Sequence, residues 1–203
     1  MIFVRTNISL LDMYIVRGDF EKGTERIADV EEARKKFRSS IRKEDELGFM
    51  VQYAQLYFGM GRYRDALKWF NRFLDDKQSV LREDLYSSVR LFILIVHYEL
   101  GNNELLEYMV ISAYRFLYKR KMLYPFEAVV LRFIKNKLPR VTSQEGFLKT
   151  LKELREELMA GAGSNSTTSH TQLICWLDSK LENKPFARLV KERSDREISK
   201  EGL

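Results

Sequence analysis

Cysteine, histidine and proline are scarce in this 203-residue chain, and each scarcity removes a class of explanation. The single cysteine, Cys175, excludes an intramolecular disulfide framework and any multi-cysteine metal site, and it suits a reducing compartment. Three prolines and ten glycines favour long helices over a strand-and-turn architecture. The most apolar run, Leu91–Val96, is far too short to cross a bilayer. The opening stretch Met1-Ile-Phe-Val-Arg5 lacks the basic region, apolar stretch and cleavage site of a leader. A cytoplasmic protein without a transmembrane segment is expected.

Signatures of chemistry are missing too. No GxxxxGK[ST] loop and no GxGxxG after a strand is present, and Gly161-Ala-Gly163 sits in a small-residue linker. His97 reads as a packed core histidine. Cys175 and His170 are not on one helix face, and no third group is placed to orient them. The acidic runs Glu44-Asp45-Glu46, Asp75-Asp76 and Glu156-Glu157 point in different directions on a helix, as solvated faces do. No reaction class, metal or cofactor follows, and the chain is expected not to be an enzyme.

What is present is helical periodicity. The pattern predicts helices at about 6–17, 19–38, 43–60, 62–77, 80–100, 103–121, 124–138, 143–160, 170–181 and 185–194. Tyr63, Ala66, Leu67, Phe70, Phe73 and Leu74 give one buried face, whereas 47–60 and 91–100 are apolar nearly all round. Helix 103–121 returns to a stripe of Leu106, Met109, Val110, Ala113, Tyr114 and Leu117. Trp69 lies off its helix's stripe, and either packs on the next repeat or stands exposed as a contact. Thr142 with Glu145 reads as a capping box.

Three glycines, Gly18, Gly61 and Gly101, punctuate helix pairs at intervals of 43 and 40 residues, the mark of a helical solenoid. In the clearest copy, Ala54, Tyr57, Gly61, Tyr63, Ala66 and Phe70 recur where the tetratricopeptide repeat places its small and aromatic residues, and this segment resembles that family. The family's closing proline is absent, with Gln78 in its place, and the interval exceeds the family's unit of about 34 residues. The chain is also similar to bacterial helical-repeat proteins. The resemblance implies an all-α fold, a right-handed array of antiparallel helix pairs with C-terminal capping helices. Three degenerate pairs are expected over 1–122 and a further pair over 123–160. A flexible loop follows at 161–169, then short capping helices at 170–194 and a frayed tail at 195–203. The apolar start, Ile2 to Leu11, suggests that the chain continues a longer array or associates with itself through this end.

Two surfaces emerge as candidates. The family's inner groove corresponds here to Asp12, Val51, Gln55, Leu91, Ile95, Tyr98 and Glu99. Only Gln55 resembles the polar side chains with which some family members clamp a peptide carboxylate. An open groove of this composition would suit an amphipathic helix of another protein or another copy of this chain; otherwise these residues pack against the chain's own helices. The second surface is basic. Between Tyr114 and Arg140 stand Arg115, Lys119, Arg120, Lys121, Arg132, Lys135, Lys137 and Arg140 against one acid, Glu127. That segment alone exceeds the net charge of +6 carried by the whole chain. The expected function is a non-catalytic scaffold for a protein or peptide partner. The alternative is a nucleic-acid-binding helical array using the basic face at 114–140.

Overall fold

Gly18, Gly61 and Gly101 all adopt left-handed backbone, with φ of 72°, 68° and 74°. The residue after each begins the next helix with nearly the same dihedrals: Asp19 (−83°, 50°), Arg62 (−83°, 62°) and Asn102 (−81°, 52°). Each turn closes with the same pair of bonds. At Gly61, its own N–H donates to Phe58 O at 2.9 Å and the Arg62 N–H donates to Tyr57 O at 2.9 Å. This is a Schellman closure, and it satisfies carbonyls that the helix end would otherwise leave open. Lys121 (φ 59°) repeats it without a glycine, with the Met122 N–H donating to Leu117 O at 2.9 Å.

The structure is a computed structural model and describes residues 2–37, 41–141, 143–161 and 167–201. Among these no strand occurs, and ten α-helices follow in order: α1 Ile2–Arg17, α2 Phe20–Lys36, α3 Lys43–Gly59, α4 Tyr63–Asp75, α5 Glu83–Glu99, α6 Asn103–Lys119, α7 Pro125–Asn136, α8 Gln144–Gly161, α9 Thr168–Leu181 and α10 Phe186–Glu201. Short 3-10 turns, Ser79–Arg82 and Leu138–Arg140, precede α5 and follow α7. No helix is long and apolar enough to cross a membrane among the described residues.

Two details at the C-terminal end differ from expectation: the helices run further into the loop, and the tail is helical. Thr142 and most of the loop expected at 161–169 lie outside the described residues, while Gly161 closes α8 and Thr168 and Ser169 open α9. Side-chain caps are made by Ser143, whose Oγ accepts from the Gly146 N–H at 3.1 Å, and by Thr167, whose Oγ1 accepts from the His170 N–H at 3.3 Å. The tail expected to fray from 195 continues α10 to Glu201. Ion pairs Arg188–Glu192 and Arg193–Glu197, each one turn apart, support that last helix.

The chain forms two compact units. The first is Met1–Tyr86 with Ala187–Leu203. Its centre is α3, buried on nearly every side and contacted by α1, α2 and α4. Small residues make this possible: Ala54 and Ala66 are fully buried on α3 and α4, the two helices in most extensive contact among the described residues. A Cβ at Gly59 would lie 2.2 Å from the Phe20 ring, so only glycine admits α2 at that distance. Trp69 packs edge-on against Tyr53 at 4.9 Å, with the Arg72 guanidinium 5.0 Å from its ring. Helix α10, expected to cap the far end of an array, belongs with this unit. A Cβ at Gly18 would meet Ala187 O at 2.8 Å and Lys191 N at 3.0 Å, so the α10 backbone rests directly on the first turn. Val4 and Leu11 of the apolar start are buried.

The second unit is Ser87–Phe186. Here α5 is the core helix, with Leu91 to Val96 all buried. The helices α6 to α9 follow, with α6 against α7, α7 against α8 and α8 against α9. Large side chains fill the interior around a void of about 20 Å³ lined only by apolar groups, including Leu94, Phe133, Leu151 and Leu173.

Candidate functional site

The expected groove residues divide between the units and serve the chain's own packing. In the first unit Val51 and Gln55 are buried, while Asp12 accepts from Gln52 Nε2 at 2.6 Å. Gln52 also donates to Ile8 O at 3.0 Å, tying α3 to α1. In the second unit Leu91 and Ile95 are buried core. Tyr98 stacks on Phe147 and meets Trp176 edge-on, at 5.7 and 5.8 Å. Glu99 accepts from Trp176 Nε1 at 2.6 Å and pairs with Lys180 at 2.6 Å. Each of these side chains already has a neighbour in its own unit.

Ionisable groups inside the units are likewise held by packing. Arg34 is buried against the Phe49 ring, bonded to Glu31 and, at 3.0 Å, to Glu46. Burial and then the Glu31 carboxylate push the nearby Tyr53 phenol far above its ordinary value, so it stays neutral. His97 Nδ1 faces Asn102 Nδ2 at 3.0 Å, and burial lowers its pKa. Glu127 is 2% exposed, with Oε1 3.5 Å from His170 Nε2. Cys175 is a buried free thiol. Among the described residues no group of three acids, histidines or cysteines is placed to hold a metal.

What remains outward is the far side of α6 and the turn into α7. Leu106, Val110, Ala113 and Leu117 bury the opposite side of α6. Tyr114, expected in that buried stripe, is 43% exposed and stacks on Tyr118 at 6.1 Å with planes 7° apart. The stripe is narrower than the periodicity implied, because about one fully buried residue per turn suffices to cover the core here. Tyr108, Tyr118 and Tyr124 are 75%, 69% and 56% exposed. All four exposed tyrosines among the described residues therefore fall within residues 108–124. Tyr108, Ile111, Ser112 and Arg115 bound a shallow depression of about 400 Å³ on the outer face of α6.

The basic residues sort into two sets. Arg132 bonds to Glu157, and Lys137 Nζ to Glu153 at 2.8 Å, which ties α7 and its end to α8. The Lys137 ammonium holds the Glu153 carboxyl below its ordinary value. Arg120 lies over the Phe116 ring at 5.5 Å. By contrast Arg115, Lys119, Lys121 and Lys135 are exposed and form no ion pair with the described residues. Sequence reading found these cations but missed the tyrosines among them. The available signal was the i, i+4 repeat Tyr114–Tyr118 and the position of Tyr108, opposite Leu106 and Val110. No protein-family model, curated protein or solved structure matches this chain.

Proposed function

We propose that this chain is a non-catalytic helical-repeat interaction module, and that it binds protein through the outer face of α6. The observation that carries this reading is the confinement of all four exposed tyrosines to 108–124, interleaved with cations lacking an intramolecular acid. Tyrosine and arginine are the side chains that interfaces favour, because each offers a large, stiff contact area with a polar end. The tetratricopeptide-like reading of α1/α2, α3/α4 and α5/α6 is supported by three turns of one conformation. The buried free thiol fits a reducing compartment, and we place the action in the cytoplasm.

One observation favours the nucleic-acid alternative: tyrosines beside Lys119, Arg120 and Lys121 would offer stacking surfaces next to phosphate contacts. Against it, Arg132 and Lys137 are committed to α8, and the exposed Glu104 and Glu107 bound a depression with Lys135, so acids interrupt the basic residues. A photo-reactive benzophenone attached to a Ser112→Cys variant separates the two, since Cys175 is buried and does not compete for the label. Illumination in lysate of the native organism is expected to give a covalent adduct with polypeptide. An adduct with nucleic acid, or none at all, overturns the reading.

A further inference from the structure

Helix α6 carries complementary side chains at equal distances from its midpoint. Its buried residues, Leu106, Val110, Ala113 and Leu117, are symmetric about a midpoint between Ile111 and Ser112. On the outer side four pairs of positions match, whereas Glu107 and Tyr114 fall opposite the half-buried Phe116 and Met109. Glu104 and Lys119 are equidistant from that midpoint, as are Leu105 and Tyr118, Tyr108 and Arg115, and Ile111 and Ser112. Moving outward from the centre, the matched partners are an aromatic ring with a guanidinium, an aliphatic chain with an aromatic ring, and a carboxylate with an ammonium. Within one helix these partners cannot meet: Glu104 and Lys119 stand about 22 Å apart along the axis. They meet only if a second α6 lies antiparallel across the midpoint.

We propose that the occupant of this face is a second copy of the chain, docked α6 against α6 about a two-fold axis through Ile111 and Ser112; this rests on the reading of α6 as a protein-binding face. The depression bounded by Tyr108, Ile111, Ser112 and Arg115 lies on that axis. The short Ser112 side chain lets two helices approach to about 8–10 Å. Each Tyr108 ring then faces the other copy's Arg115 guanidinium, the geometry of a cation–π contact. Each Glu104 meets the other copy's Lys119, and neither has an ion-pair partner among the described residues of its own chain. Such a contact is isologous and closes after two copies. The helix dipole alone would favour an acid near the first turn and a base near the last. It gives no reason for Leu105, Tyr108 and Tyr118 to stand in water at the positions the two-fold axis would cover. A 17-residue helix is about 25 Å long, which puts the contact at the small end of specific interfaces.

Sedimentation velocity over a concentration series, from low micromolar to several hundred micromolar, tests this directly. The wild type is expected to move from 24.1 kDa towards twice that mass. Glu104→Lys and Lys119→Glu, made singly, each set like charges across both symmetric contacts and should weaken association roughly tenfold or more. Mixed in equal amounts, the two single variants should pair with each other, and the double variant should recover association. Unchanged circular dichroism and melting in all three variants separates loss of the contact from loss of the fold. A wild type that remains monomeric throughout overturns the proposal, as does association that ignores the variants. If the wild type is monomeric while the label at 112 captures a different polypeptide, the second-copy proposal falls and the protein-binding reading stands.

Discussion

The two units solve the same problem by opposite means. Each has a core helix that is apolar on nearly every side, α3 in the first and α5 in the second. Around α3 the contacts are made by what is missing: Gly23, Gly59, Ala54 and Ala66 let backbones come close, and a Cβ at Gly23 or Gly59 would overlap Leu56 or Phe20. Around α5 they are made by bulk, since Leu91 to Val96 carry branched or aromatic side chains. The second unit then adds long polar links at its periphery, among them Glu99 with Trp176 and Lys180, Arg155 with Asp178, and Lys137 with Glu153. A core built on close approach should resist added atoms. One built on bulk should resist removed ones.

Removing atoms from the second core should therefore do most damage. Leu94→Ala leaves a hole beside the existing void, with large neighbours that cannot collapse into it, and is expected to cost about 2–5 kcal/mol in urea denaturation. Adding atoms to the first core comes next. Ala66→Leu overpacks the α3–α4 contact and should cost about 1–3 kcal/mol. A loss near zero in either variant would mean that the two cores are not built differently. A third comparison lies among the turns. Gly61→Ala and Gly101→Ala meet no neighbour within 4 Å and should cost about 1–2 kcal/mol for left-handed backbone alone. Gly18→Ala carries the same strain plus the collision with α10, and should exceed them by about 1 kcal/mol or more. Equal losses at the three turns would place α10 elsewhere.

The smallest effect expected is on pH. Burial lowers the His97 pKa from its ordinary value near 6.5, and Nδ1 accepts from Asn102 in the neutral ring. The unfolded chain thus takes up the proton first as pH falls. The stability tied to neutral His97 is present above about pH 6.5 and is lost as pH drops through that value towards the folded pKa. Denaturation at pH 7.5 and 5.5 should show a loss in the wild type that His97→Gln reduces. Equal losses in both would assign the pH dependence to other groups.

Much of this was legible in local pattern. All ten helices follow from spacing, and the three turn glycines follow from their repeat, because periodicity and left-handed backbone are local properties. The core residues Ala54, Ala66 and Phe70 were legible for the same reason. The fate of side chains that depend on distant partners was not. Tyr114 fits a buried stripe by spacing, yet nothing across from it requires cover. Arg132 and Lys137 look equivalent to Arg115 and Lys119 in sequence, and only the placement of Glu157 and Glu153 on α8 separates them. Helix α10 gave no hint that it belongs with the Gly18 turn, because that contact joins residues nearly the whole chain apart. Lys121 takes the left-handed turn without the glycine that marks the other three.

The most direct measurement is hydroxyl-radical footprinting of the four exposed tyrosines at a dilute and a concentrated setting of the same protein. Tyr108 and Tyr118 lie on the symmetric face of α6, whereas Tyr124 lies beyond its end and serves as an internal reference. With a second copy docked on α6, oxidation of Tyr108 and Tyr118 falls as concentration rises while that of Tyr124 stays constant. Equal oxidation of all of these tyrosines at both concentrations would contradict it.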